Sequence, residues 1–303
     1  MDAEALSSLQ PDHLRSLLPP YLSSFIVDPE ASARNAARMA ELVSGWDDAT
    51  CRRVLDQLAR LGTEQQLYLA DPACRELARL WSRDVILDAE LHGVEHLRDA
   101  MTAGPTVVLS NHLAYFDSTA IDAILVWEGH EDLANRLVSA AGPKVYETLF
   151  RRVASACLHT LPVPQSTTFS HTEPLSPREL ARRAVASVRI GQQAVEDGMA
   201  LLIYAEGSRS RTGRMGPFLK GVRRYLEIAE PLSVVPAALV GTHRLMPVGE
   251  ERMHPSRAAL RFGPPIVIGG DLDAREALAA AHEAIAALLP DEHRPEAGTP
   301  AVA

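Results

Sequence analysis

From about Gly93 onward the chain alternates short apolar runs with longer amphipathic stretches, and nothing else in it constrains the fold as much. Apolar runs of strand length fall at residues 106–110, 137–141, 158–163, 199–204, 233–240, 258–262 and 266–268. Between them, apolar residues at three-to-four spacing predict helices over 118–127, 144–156, 177–196, 219–229 and 274–289. Strand and helix in alternation predict an α/β fold, a mostly parallel sheet flanked by helices.

The first 92 residues read differently, as an N-terminal all-helical region. Helices are expected over 29–42, 49–61 and 72–86. Asp47 or Asp48 can cap the second, and Asp71-Pro72 is an N-cap followed by proline in the first turn. The expected division is therefore a helical region at 1–92, an α/β domain at 93–289 and a disordered tail at 290–303, where Pro295, Gly298 and Pro300 cluster. A Ser/Thr-rich loop is expected at 167–176. The apolar segment 21–27, beside Pro19-Pro20, can either touch a membrane interface or pack under the helical layer, and packing is favoured.

Composition narrows the function classes. A chain of 303 residues that is 47% hydrophobic has ample core-forming material, and a net charge of −9 argues against a dedicated nucleic-acid binder. Three widely spaced cysteines, Cys51, Cys74 and Cys157, suggest neither a disulfide framework nor a zinc site, and the histidines outside the motif below show no metal-ligand spacing. The chain start carries no secretory signal pattern. No apolar run approaches the roughly 20 residues that span a bilayer. The expected location is the cytoplasm, with peripheral contact to the inner face of the cell membrane allowed.

Two polar corners stand out. The run Thr106-Val107-Val108-Leu109 ends in Ser110-Asn111-His112-Leu113-Ala114-Tyr115-Phe116-Asp117, so a histidine and an aspartate emerge where a strand gives way to a helix. In open α/β sheets that carboxyl end is where ligands bind. A histidine oriented by a carboxylate removes a proton from a hydroxyl near neutral pH, and the stretch offers no obvious nucleophile of its own. Capping of the next helix by Asp117 is compatible with that role. The second corner follows Ala200-Leu201-Leu202-Ile203-Tyr204. It reads Ala205-Glu206-Gly207-Ser208-Arg209-Ser210-Arg211-Thr212-Gly213-Arg214 and runs on to Phe218-Leu219-Lys220-Gly221. Arg209, Arg211, Arg214 and Lys220 around one carboxylate suit an anion, most naturally a phosphate, and a helix starting near Phe218 can add its N-terminal dipole.

These residues resemble the blocks of the glycerolipid acyltransferase family, which includes glycerol-3-phosphate and 1-acylglycerol-3-phosphate acyltransferases. Asn111, His112 and Asp117 match N-H-x-x-x-x-D. Tyr204 to Ser210 match F-P-E-G-[ST]-R-S with Ala205 at the proline, and Phe218-Leu219-Lys220-Gly221 matches F-x-K-G. Val234-Val235-Pro236 matches the last block, and the resemblance covers roughly residues 90–270. One departure bears on substrate. The second block keeps Lys144, but its later strand, Leu158-His159-Thr160-Leu161-Pro162-Val163-Pro164-Gln165, lacks the arginine that helps hold the acceptor phosphate.

The resemblance implies acyl transfer from a thioester of coenzyme A or acyl carrier protein, a co-substrate and not a resident cofactor, to a hydroxyl of glycerol-3-phosphate or a lysophospholipid. It makes His112 the general base and Asp117 its orienting partner. It places Glu206, Gly207, Ser208, Arg209, Arg211 and Lys144 at the acceptor and its phosphate, and Pro236 on the acyl-donor side. Arg209 to Lys220, with Arg223 and Arg224, would offer an acidic carrier protein a basic patch. The missing arginine keeps a second acceptor class open: an amino-acid lipid, a glycolipid or a secondary metabolite. A thioesterase in which His112 activates water, and a non-catalytic lipid- or carrier-binding protein, are the readings from other classes.

Overall fold

The computed structural model describes residues 6, 8–164 and 176–303. Gln165 and nearly all of the expected 167–176 loop lie outside the described residues.

Four helices come first: α1 (Pro11–Ser23), α2 (Pro29–Ser44), α3 (Asp48–Arg60) and α4 (Pro72–Ser82). Asp28, Asp47 and Asp71 each cap the helix that follows, accepting backbone N–H bonds from Ala31, Thr50 and Ala73 respectively, and Pro72 fills the first helical position. Helix α1 is absent from the sequence reading because Pro19 and Pro20 stand inside it. Its apolar stripe of Leu14, Leu18 and Leu22 is buried, and burial holds the helix despite the backbone bonds that the prolines remove. Phe25, just beyond it, lies 4.3 Å from Phe150, ring centre to ring centre, so segment 21–27 packs against the protein's own core.

The α/β part follows as β1 (Ile86–His92), α5 (Val94–Ala103), β2 (Thr106–Ser110), α6 (Asp117–Trp127), β3 (Leu137–Ala141), α7 (Leu149–Ala156), β4 (His159–Pro162), α8 (Pro177–Glu196), β5 (Ala200–Tyr204), β6 (Leu232–Val240), β7 (Ser256–Phe262), β8 (Ile266–Ile268) and α9 (Ala274–Leu288). The strands form one sheet in the order β1-β7-β6-β2-β5-β3-β4, with β8 added against β6. All neighbours are parallel except β6 with β7 and β6 with β8.

Side chains alternate across the sheet with the strand period of two. Val108, Leu202, Val235, Ala237 and Leu239 face a core shared with α1–α4, α6 and α7. Val107, Leu109, Leu201, Ile203, Val234 and Ala238 face a second core beneath α8 and α9. The helical region at 1–92 thus shares the first core, as a layer on the sheet. Its last seven residues are not helical but form β1, which pairs in parallel with β7. That strand was illegible because Ile86 is its one buried residue and Asp88, Glu90 and His92 give it polar character.

Three further expectations are corrected. The helix over 144–156 is broken into a tight turn (Pro143–Tyr146) and α7, because Thr148 caps α7 by accepting the Arg151 N–H. The helix over 219–229 shrinks to single turns at Lys220–Val222 and Arg223–Leu226, because Phe218 bridges to Val302 as extended chain. The C-terminal residues 290–303, read as disordered, lie against that same loop. Met215 N–H donates to the His293 carbonyl, Phe218 N–H to Ala301, and Ala303 N–H back to Phe218.

Candidate active site

Sheet register brings the two polar corners together. Strand β2 lies between β5 and β6, with Ser110 level with Tyr204 on one side and Ala237 on the other. The chain therefore leaves β2 and β5 side by side at their carboxyl ends. Asn111 extends the sheet with its side chain: its amide donates to the Leu239 carbonyl at 2.9 Å and its oxygen accepts the Leu239 N–H at 2.8 Å. That pairing fixes where His112 departs.

His112 Nδ1 lies 2.8 Å from Asp117 Oδ2. The same oxygen accepts the backbone N–H groups of Leu113, at 2.6 Å, and Ala114, at 3.0 Å. The five-residue spacing thus closes a turn around one carboxylate at the start of α6. Asp117 is 1% exposed and His112 17%, so only the imidazole reaches solvent. In the tautomer whose Nδ1–H donates to the Asp117 carboxylate, Nε2 keeps its lone pair. The imidazole stacks on the Tyr204 ring, centroids 4.2 Å apart and planes within 18°. The Tyr204 hydroxyl sits 2.8 Å from Ser118 Oγ, which is 2.8 Å from Ser139 Oγ.

His112 opens onto a cavity of about 250 Å³. Among the described residues, Tyr115, Ser118, Ser139, Thr160 and Tyr204 line it together with four cations, Lys144, Arg151, Arg209 and Arg211, and with no carboxylate. Gly207 and Ser208 also line it. Gly207 has φ +69°, and a Cβ there would come within 2.2 Å of Leu219 Cδ1, so the turn under the cavity requires glycine.

The acyltransferase family model matches residues 88–240, about half of the chain. The chain belongs to the acyltransferase family. This acyltransferase is 32% identical over 84 residues to a coconut (Cocos nucifera) 1-acyl-sn-glycerol-3-phosphate acyltransferase, an alignment covering 27% of each chain. It is 38% identical over 71 residues to one of the same description from Limnanthes douglasii, covering 23% of this chain and 25% of that one. A chloroplastic 1-acyl-sn-glycerol-3-phosphate acyltransferase of Brassica napus aligns at 25% identity over 58% of this chain and 44% of its own. The chain thus spans less than half the length of these curated relatives. Among solved structures, the Thermotoga maritima 1-acyl-sn-glycerophosphate acyltransferase PlsC superposes with a TM-score of 0.46 and 14% identity, over 90% of this chain and 95% of that one.

The acyltransferase domain does not use every expected residue at its cavity. Glu206 lies behind the wall. Its Oε1 accepts the His112 N–H and its Oε2 the Gly216 N–H, both at 2.8 Å, so it ties the two corners together. Burial pushes its carboxyl up to about 7, against the downward pull of those N–H groups. Pro236 sits inside β6 beside Leu109 and is absent from the cavity lining. It falls between the residues of β6 that pair with β8 and those that pair with β7. There an N–H is dispensable, and its carbonyl accepts the Gly263 N–H at 2.8 Å. Arg214 turns away to the carbonyls of Asp291 and Arg294, and Lys220 is an exposed residue outside the lining. No helix begins at Phe218 to offer a dipole.

Two cavity residues went unnoticed in the sequence. Tyr115 lies inside the first motif at an unspecified position. Arg151 lies in α7, inside the stretch expected as helix over 144–156 and given no site role there. Its guanidinium carbon is 4.4 Å from the Tyr115 ring centroid, and that of Arg209 is 3.6 Å from the same centroid.

Proposed function

We propose that this acyltransferase moves a fatty acyl group from an acyl thioester to the hydroxyl of a glycerophosphate or lysophosphatidic acid, with His112 as general base. The observation that carries the reading is the 2.8 Å His112–Asp117 bond at a cavity lined, among the described residues, by four cations and no carboxylate. The names of the curated relatives point to the same acceptor.

The acceptor hydroxyl donates to His112 Nε2. As its oxygen attacks the thioester carbonyl, the proton passes to the imidazole, and Asp117 stabilises the imidazolium. The tetrahedral intermediate then expels the thiolate, which takes the proton back from His112. An ester and a free thiol result, with no acyl-enzyme. Positioned proton transfer contributes about 10²–10⁴-fold, so holding hydroxyl and thioester in register supplies much of the rest. Arg209, Arg211 and Lys144 hold the acceptor phosphate. A cavity of about 250 Å³ suits the polar head and reacting groups, with the acyl chains left outside it. A lipid acceptor brings the protein to a membrane surface as a peripheral contact.

Mass spectrometry of products from long-chain acyl-CoA or acyl carrier protein, with glycerol-3-phosphate or lysophosphatidic acid, tests this. An acylated phosphate product that disappears in His112→Ala is the expected result. Free fatty acid alone makes the protein a thioesterase. Transfer solely to acceptors without phosphate selects an amino-acid lipid, glycolipid or secondary metabolite.

A further inference from the structure

We infer that Arg151 is the second anion-binding residue of the cavity, forming with Arg209, beside the ring of Tyr115, a two-guanidinium clamp for the acceptor's phosphate. The inference rests on the proposed acyl transfer and assigns to α7 the role left open by the absence of arginine from β4.

Both guanidinium carbons lie against one aromatic ring, at 3.6 Å and 4.4 Å from its centroid. They are therefore no farther apart than about 8 Å, the sum of those distances. One phosphate bridges such a span with N–H···O bonds of about 2.7–2.9 Å on either side. The tyrosine face holds each cation by its plane and leaves N–H edges for a ligand. Arg209 Nη1 and Arg151 Nε are both buried without a hydrogen-bond partner. Buried donors of this kind are costly unless something accepts from them.

The charges are arranged unequally. Arg151 is held by Glu251, from the segment before β7, with Glu147 at 3.5 Å and the Lys144 carbonyl at 3.2 Å. Arg209 has no ion pair among the described residues. Burial disfavours its charged form and the neighbouring Arg151 opposes it further, while Tyr115 and Asp117 favour it. Four cations line the cavity and the two carboxylates, Glu251 and Glu147, both pair with Arg151, so among the described residues the cavity keeps an excess of positive charge. A phosphate removes the excess and satisfies both orphaned donors. Glu251 and Glu147 then act as positioning residues that keep Arg151 on the ring.

The test compares wild type, Arg151→Gln and Arg151→Lys on lysophosphatidic acid and, in parallel, on monoacylglycerol, with calorimetric titration of glycerol-3-phosphate into each protein. Arg151→Gln is expected to raise KM for lysophosphatidic acid about ten- to a hundredfold with little change in kcat, and to weaken glycerol-3-phosphate binding by the same factor. Transfer to monoacylglycerol, which offers no phosphate, should fall by a clearly smaller factor than transfer to lysophosphatidic acid, and Arg151→Lys should recover part of the loss. An unchanged KM and binding constant overturns the clamp. So does an equal loss on both acceptors with a lowered Tm, which marks a merely structural arginine. Wild type that binds glycerol-3-phosphate through Arg151 but transfers no acyl group to it or to lysophosphatidic acid keeps the clamp and overturns the reaction.

Discussion

At the scale of single residues, one carboxylate oxygen carries much of the site. Asp117 Oδ2 holds the imidazole and two backbone N–H groups together. Asp117→Asn is expected to lower kcat about 10²–10⁴-fold, since the amide neither fixes the tautomer nor offsets the imidazolium charge. Asp117→Ala should add a loss of about 1–3 kcal/mol in urea unfolding, because buried N–H groups lose their acceptor. His112→Ala should abolish transfer with little change in Tm, because the imidazole makes no other side-chain hydrogen bond among the described residues. Glu206 gives the fold a pH dependence of unusual sign. Its folded pKa, about 7, stands above the ordinary 4.5, so between those values the folded state binds the extra proton. Stability from this group is full below about pH 4.5 and falls as pH rises to about 7, by something on the order of 1–3 kcal/mol. Unfolding curves across that window should decline more for wild type than for Glu206→Gln. Glu206→Gln itself should be less stable at pH 5, since one of the two N–H groups then faces an amide NH₂.

Among the elements, the segment 205–220 between β5 and the short turns at 220–226 is held from three sides. Glu206 ties it to His112, Ser210 N–H donates to the His112 carbonyl at 2.8 Å, and the C-terminal residues bond to Met215, Phe218 and Lys220. His293 adds its Nδ1 at 2.7 Å from the Gly213 carbonyl. Deleting residues 291–303 should therefore lower Tm by several degrees and raise the acceptor KM, because Arg209 and Arg211 ride on the loosened segment. Steady-state kinetics beside a melting curve reads both effects. A fall in Tm with an unchanged KM would separate the tail from the site. Gly207→Ala strikes the same segment from within, forcing a methyl into Leu219 at a positive φ, and should cost more than about 1 kcal/mol.

For the molecule as a whole, the N-terminal helices are one wall of the sheet's core. Trp81 of α4 meets Phe116, next to Asp117, edge-on at 5.6 Å and Phe150 of α7 at 5.2 Å, and Arg79 pairs with Asp122 of α6 at 2.8 Å. Trp81→Ala is expected to cost about 3–5 kcal/mol by chemical denaturation. A chain starting after residue 85 should lack a cooperative transition, since it would expose that whole face. Local chemistry made much of this legible in advance. Strands β2, β3 and β8 and helix α8 fall where apolar period and caps put them, and the closeness of His112 to Asp117 follows from a five-residue turn. Those features depend on neighbours within a few residues, which a sequence displays directly. Tertiary structure alone decided the rest. Strand β1 forms although its own residues are mostly exposed, because β7 supplies its partner. Glu206 is a strut behind the cavity because the register of β2 against β5 aims it at the His112 backbone. Arg151 reaches the site because α7 packs beside Tyr115, and the residues after Pro290 are ordered because Phe218 offers them an unpaired backbone. Each of these outcomes depends on groups far apart in the chain, whose meeting is fixed by packing and by no local preference.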